Sequence, residues 1–179
     1  IVTGSFNVFS GQQSAVYFND GAGNFTVARN FGIGSEDTKS VAVGDMDGDG
    51  DLDIVTGNIH LQSVVYFNDG AGNFAVARKF GTIDTSSVAV GDMDGDGDLD
   101  IVTGNNSVYS VQQSLVYFND GKGNFTGTRK FGTGSDHTSG VAVGDIDGDG
   151  DLDIVTGNNG QQSMVYFNDG KGNFTGTRN

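Results

Sequence analysis

The chain has 179 residues, with 9 lysines and arginines against 23 aspartates and glutamates, a formal charge of -14. It offers no basic stripe to neutralise phosphates, which excludes nucleic acid as a partner, and no apolar run approaches the ~20 residues of a membrane helix, so no membrane insertion is expected. Cysteine and proline are absent and glycine reaches 31 residues, which excludes a disulfide framework and suits short strands joined by tight turns.

In chain order, the first element is the strand "IVTG" at Ile1–Gly4, so the chain opens in mid-motif, with no signal peptide, as a mature piece or a fragment would. "VYFNDG" follows at Val16 and "GNF" at Gly23. The second unit is the first to show four strands: Ser40–Asp45, Asp53–Gly57, Ser63–Asn68 and Asn73–Arg78. The link "NDGAG" between its last two strands carries the residues of hairpin turns. The third and fourth units repeat the pattern, with "IVTG" at Ile54, Ile101 and Ile154 and "VYFNDG" at Val65, Val116 and Val165. The steps between "IVTG" segments are 53, 47 and 53, so two units make a super-repeat of 100 residues.

No stretch shows a convincing helical period. The first strand of the unit carries small residues (Val41, Ala42, Val43, Gly44), and the third carries large ones (Tyr66, Phe67). Small side chains suit a strand crowded at a central axis, and bulk suits the wide middle of a blade. The expected fold is all-β: a β-propeller of four-stranded antiparallel blades, about four in this chain, the first lacking its innermost strand. An open, solenoid-like stack is the competing arrangement. The expected blades are a partial one at 1–30, then 31–79, 80–130 and 131–179, in one repeat domain. The incomplete blade leaves an edge for a strand from further chain or from a neighbouring molecule.

The aspartates are concentrated in one element. Asp45, Asp47, Asp49, Asp51 and Asp53 stand on alternate positions of the link between first and second strands. Asp92, Asp94, Asp96, Asp98 and Asp100 repeat them, as do Asp145, Asp147, Asp149, Asp151 and Asp153. Asp45, Asp47, Asp49 and Asp53 occupy positions 1, 3, 5 and 9 of a calcium loop, with Gly50 at the sharp turn and Asp51 where such loops offer a backbone carbonyl. Carboxylates this close repel unless a cation lies between them. Calcium, taking six to eight oxygens, suits the set better than magnesium, which demands a stricter octahedron, or zinc, which favours nitrogen and sulfur. About one ion per loop is expected, three in all. Position 12 is Thr56 rather than the bidentate glutamate of an EF-hand, so affinity in the extracellular range is expected.

"VAVGDMDGDGDLDIVTGN" followed by "VVYFNDGAGNF" resembles the FG-GAP repeats of integrin α-subunit propellers, and more closely their bacterial VCBS or FG-GAP-like relatives. The Phe-Gly pair stands at Phe31–Gly32, Phe80–Gly81 and Phe131–Gly132; the Gly-Ala-Pro half is missing. The resemblance implies a secreted or cell-surface protein, calcium at the aspartate loops, and a role in adhesion or recognition.

No histidine recurs beside a serine nucleophile, and the paired carboxylates belong to the aspartate loops, so an enzyme is not expected. The expected function is a structural or adhesive extracellular module, self-associating head to tail or through a neighbour's strand. The alternative is a carbohydrate-binding propeller. In its favour stand the Gln and Ser residues of the links between second and third strands (Gln12–Ser14, Gln62–Ser63, Gln112–Ser114, Gln161–Ser163). Against it stands the scarcity of aromatics there, Phe9 and Tyr109. Arg29, Arg78, Arg129 and Arg178 recur as expected edge-protecting charges or partners of nearby acids. Asn24, Asn105, Asn124 and Asn173 head Asn-x-Ser/Thr sequons.

Overall fold

Residues 1–5, 13–81, 84–107, 112–134 and 136–178 are described by the computed structural model, with the backbone alone for 175–178. Phe9, Gln12 and Tyr109 lie outside them. The described residues contain no helix. They form four antiparallel sheets in which strands consecutive in sequence pair side by side, the arrangement of propeller blades. The first has β1 (Val2–Thr3), β2 (Ser14–Phe18) and β3 (Val27–Phe31). The second has β4 (Asp37–Gly44), β5 (Asp53–Ile59), β6 (Ser63–Phe67) and β7 (Val76–Phe80). The third has β8 (Thr85–Gly91), β9 (Asp100–Asn105), β10 (Ser114–Asn119) and β11 (Phe125–Phe131). The fourth has β12 (Thr138–Gly144), β13 (Asp153–Asn158), β14 (Met164–Asn168) and β15 (Phe174–Arg178).

The small inner strands pack on one another, β4 on β8 and β8 on β12. Their approach is close enough for side chain to meet backbone: Ser40 Oγ accepts from the Val88 amide at 3.1 Å, and Ser87 Oγ from Val141 at 3.1 Å. Between the second and third blades, Met46, Val55, Val65 and Phe67 interlock with Val88, Ile101 and Tyr117 in one buried cluster. The same positions build the next joint around Met93, Val102, Val116, Ile154 and Tyr166. Full burial of each such side chain is worth about 1.5–3 kcal/mol. The phenylalanine of each Phe-Gly pair meets the following blade's tyrosine edge to face: Phe31–Tyr66 at 5.2 Å, Phe80–Tyr117 at 5.3 Å and Phe131–Tyr166 at 5.4 Å. Such a pair adds about 0.5–1.5 kcal/mol beyond area. Tyr66, Tyr117 and Tyr166 are therefore core residues, whereas Tyr17 of the first blade is exposed.

Two strand starts differ from expectation. The inner strand begins three residues early, at Asp37, because a bulge between Thr38 and Ser40 carries the ladder on to Asp37↔Ile59. The outer strand begins late in the second blade, at Val76, yet at Phe125 in the third. There Gly127 stands opposite Phe118, and a bulge at Phe118/Asn119 extends the pairing to Asn119↔Phe125. Val76, opposite Phe67, ends the ladder instead.

Candidate metal centre

Each aspartate loop is folded by its own carboxylates before any cation is considered. Asp45 Oδ1 accepts from the amides of Gly48 and Asp49 at 2.8 and 3.2 Å, and its Oδ2 from Gly50 at 2.9 Å. Gly50 holds the sharp turn with φ +92°, and Gly97 and Gly150 repeat it at +94° and +99°. Asp53 begins β5 and is wholly buried. Its Oδ2 accepts from the Met46 amide at 2.8 Å and its Oδ1 from Asn68 at 2.8 Å, fastening the loop to the third strand of its blade. Asp100 and Asp153 repeat both bonds.

The loops gather carboxylates in three places: Asp45, Asp47 and Asp53; Asp92, Asp94 and Asp96; Asp145, Asp147 and Asp153. Within each group, ligand oxygens lie within 4.8 Å of one another. Burial pushes the Asp53 carboxyl up to about 6 and Asp100 up to about 7, against their backbone hydrogen bonds. Asp47, Asp94 and Asp147 are raised too, by burial first and then by repulsion from Asp49, Asp96 and Asp149. Asp47 Oδ1 and Asp94 Oδ1 are buried with no hydrogen-bond partner. A buried, unsatisfied carboxylate oxygen is costly, and here it stands in a set made only of oxygens. The donor set fits a hard divalent cation.

Asp51, Asp98 and Asp151 play another part. Their carboxylates lie over Gly70, Gly121 and Gly170 in the turn between third and fourth strands, where a Cβ would come within 2.6 Å of the Asp51 carboxylate. The aspartate loops and these turns therefore share one face. Asp49, Asp100 and Asp149 also stand outside the gathered groups, whereas Asp96 belongs to one.

Blade-to-blade ties use residues that the sequence reading passed over. Asn119 Nδ2 donates to the Leu99 carbonyl of its own aspartate loop at 3.0 Å and to Met46 of the preceding loop at 2.9 Å. Asn168 does the same with Leu152 at 3.0 Å and Met93 at 2.8 Å. Arg29 and Arg78 correct an expectation: they are staples rather than edge charges. Arg29 donates to the Ala71 carbonyl and to Asn73 Oδ1 at 2.9 Å in the second blade, over the Phe18 ring. Arg78 donates to the Gly123 carbonyl and Asn124 Oδ1 in the third, over Phe67.

The glutamines are engaged as well. Gln13, Gln62 and Gln113 donate Nε2 to the carbonyls of Gly32, Gly81 and Gly132 at 2.7, 3.0 and 3.0 Å. The sequon amides Asn24, Asn124 and Asn173 donate Nδ2 to Asp20, Asp120 and Asp169, and Asn105 is buried with Nδ2 on the Gln113 carbonyl. A glycan on any of them would replace one of the two hydrogens of the amide that makes those bonds. His60 contacts Asp84 through its amide at 3.3 Å and its ring at 3.8 Å, and His137 the Asn106 side chain at 3.2 Å, so both tie links together.

Comparison with known families settles the repeat. FG-GAP-like repeats match residues 3–56, 57–103 and 107–156, and FG-GAP repeats match 39–74 and 85–124. The chain belongs to the FG-GAP repeat family. No curated protein matches this FG-GAP chain. Among solved structures, a lectin of Agrocybe aegerita, described by its specific recognition of non-reducing terminal N-acetylglucosamine, is similar at 25% identity and a TM-score of 0.64. The match covers 93% of this chain and 46% of the lectin, so the FG-GAP chain spans about half the lectin's length. No helix among the described residues is long and apolar enough to cross a membrane.

Proposed function

We propose that the chain is an extracellular, calcium-stabilised propeller module with a structural or adhesive role, one domain whose blades span 1–30, 31–79, 80–130 and 131–179. It is non-catalytic and self-associates. The observation that carries the reading is the buried, unpartnered Oδ1 of Asp47 and of Asp94, each in a carboxylate group at a blade joint. A calcium ion in each loop would be held by Asp45, Asp47, Asp49 and Asp53, with Asp51 giving its backbone carbonyl. Asp92, Asp94, Asp96, Asp98 and Asp100 would serve the third blade in the same way, and Asp145, Asp147, Asp149, Asp151 and Asp153 the fourth. The ion's chemistry is charge neutralisation. What this chain's residues do with it is structural: Asp53 holds the Met46 amide, and the Met46 carbonyl holds Asn119 of the next blade. Millimolar calcium outside cells suits loops without the twelfth-position acid. Calorimetric titration of chelator-treated chain tests this. Uptake of about three calcium ions with a raised melting temperature is expected, and a chain that takes up none while staying folded in millimolar calcium overturns it.

A second reading, glycan binding, has its own support. A cavity of about 470 Å³ lined by Phe131, Gly132, Tyr166, Asn173 and Phe174 recurs one joint earlier as about 340 Å³, lined by Phe80, Gly81, Tyr117, Asn124 and Phe125. Each combines aromatic walls with a few polar groups. The lectin neighbour suggests terminal N-acetylglucosamine as the sugar to titrate first. Saturable binding would favour this reading, and an unresponsive glycan array would remove it.

A further inference from the structure

The arginine staple of the blade joints is open between the third and fourth blades. Arg29 and Arg78 reach across to the next blade's turn, and Arg78 is partly buried there. Arg129 holds the same position in the third blade, opposite Val116 as Arg78 stands opposite Val65. The turn it faces, "DGKGNF" at 169–174, is identical to the one that receives Arg78, at 120–125. Yet Arg129 is exposed and makes no hydrogen bond, ion pair or ring contact among the described residues. It lines the cavity of about 470 Å³ instead. The acceptor at this joint is unengaged as well: Asn73 Oδ1 and Asn124 Oδ1 each accept from an arginine, whereas Asn173 Oδ1 accepts from no donor among the described residues. Lys130 is exposed, lines the same cavity and has no partner among the described residues. Two carboxylates stand beside lining residues, and both are committed. Asp136 accepts from the Thr133 amide at 2.6 Å and from its hydroxyl, and Asp169 accepts from the Asn173 side chain at 3.0 Å. Two cations are thus left without an anion to match them.

We propose that this cavity binds an acidic sugar, with the carboxylate held by the Arg129 guanidinium and the ring lying against the aromatic wall. The inference rests on the glycan reading above and names the class of sugar. A guanidinium presents a planar fork of N–H donors that matches the two oxygens of a carboxylate. Lys130 adds a second positive charge. Phe131 packs on Tyr166 at 5.4 Å and on Phe174 at 6.0 Å, which gives the apolar face of a pyranose a surface to lie on. Two free polar atoms suit sugar hydroxyls. Asn173 Oδ1 can accept, and the Tyr166 hydroxyl can donate, because it lacks the bond that ties Tyr66 to Glu36 at 2.5 Å. The preceding joint has the same aromatic wall but no free fork, since Arg78 is engaged by Gly123 and Asn124. One acidic sugar per chain follows.

Calorimetric titration of the chain in calcium with glucuronate, N-acetylneuraminate, N-acetylglucosamine and acetate tests this. The two acidic sugars carry the carboxylate at different ring positions, and the tighter of them identifies the sugar. It is expected to bind at one per chain, at least about tenfold more tightly than N-acetylglucosamine or than acetate, which has the carboxylate without the ring. Arg129→Gln is expected to erase the preference over N-acetylglucosamine and to leave the melting temperature unchanged, because Arg129 makes no bond within the fold. Arg78→Gln cuts a staple and is expected to lower the melting temperature. If Arg129→Gln melts as low as Arg78→Gln, the arginine is a third staple and the proposal is overturned. Acetate binding as tightly as the acidic sugars overturns it too. If N-acetylglucosamine binds and the acidic sugars bind no tighter, the carboxylate preference fails and the glycan reading stands. If no sugar binds, the glycan reading itself fails.

Discussion

The Met46 carbonyl oxygen and the Asn119 side chain, 73 positions apart in sequence, are joined by a buried hydrogen bond of 2.9 Å. Met46 stands in one blade's aspartate loop and Asn119 in the third strand of the next, so the bond couples the cation loop to the blade joint. Asn119→Ala would strand the Met46 and Leu99 carbonyls, both tied by the same amide. A loss of about 2 kcal/mol is expected, from the cost of leaving buried acceptors unpaired. Asn68→Ala removes a bond to the Leu52 carbonyl and two from the Gly70 and Gly72 amides, all within one blade and at a more exposed site, and is expected to cost less. Urea denaturation of both variants in calcium checks the ranking, and equal midpoints would contradict the coupling.

Asp47→Ala separates the cation's contribution from that of the fold. Asp47 Oδ1 is buried and unpartnered, and burial first, then repulsion from Asp49 and Asp45, raises its carboxyl. Removing it relieves the metal-free chain and disables one site. Melting temperature in chelator is therefore expected to hold or rise, while the gain on adding calcium shrinks. A site held at 100 times its dissociation constant contributes about 2.7 kcal/mol, which sets the size of the loss. A variant that melts lower in chelator as well would mean that Asp47 acts in the fold alone.

Much of this was legible in the sequence, and the limits have a physical cause. The alternation "SVAVGD" followed by "DIVTG" marks strands, and the aspartate loop with Gly50 at its turn marks a cation loop, because those signals lie within a dozen residues. The unit length and the small inner strand gave the blade. Ties made by Asn119 and Arg78 could not be read, since their partners lie more than 40 residues away and nothing local distinguishes a docked arginine from an edge charge. The part played by Asp51 was hidden for the same reason: its carboxylate is placed by the neighbouring turn at Gly70, not by its position in the loop.

Arg78 is expected to be intolerant even of lysine. Its guanidinium spans the Gly123 carbonyl and Asn124 Oδ1 while lying over Phe67 at 5.7 Å. A lysine ammonium is a point charge and cannot reproduce a planar fork stacked on a ring. Arg78→Lys is expected to destabilise by about 1 kcal/mol, and Arg78→Ala by about 2, from the lost hydrogen bonds and cation–π contact. Chemical denaturation measures both. Lysine behaving like arginine would show that charge alone matters at this joint.

The turns between third and fourth strands carry an acid-sensitive contribution. Asp69, Asp120 and Asp169 each hold their turn through an asparagine side chain four residues on and through backbone amides, and these bonds keep the carboxyls below their ordinary 3.8. A carboxyl depressed in the folded state favours folding above its unfolded value, and that contribution disappears as pH falls through the folded value. The turns are therefore expected to stay intact down to pH 3.8 and to lose their contribution below it. Carbon-detected NMR titration of the aspartates reads each group directly, and Asp120→Asn should remove the third blade's share of the acid sensitivity. Midpoints for these three groups at or above 3.8 would mean that the asparagine bonds seen in the turns do not hold in solution.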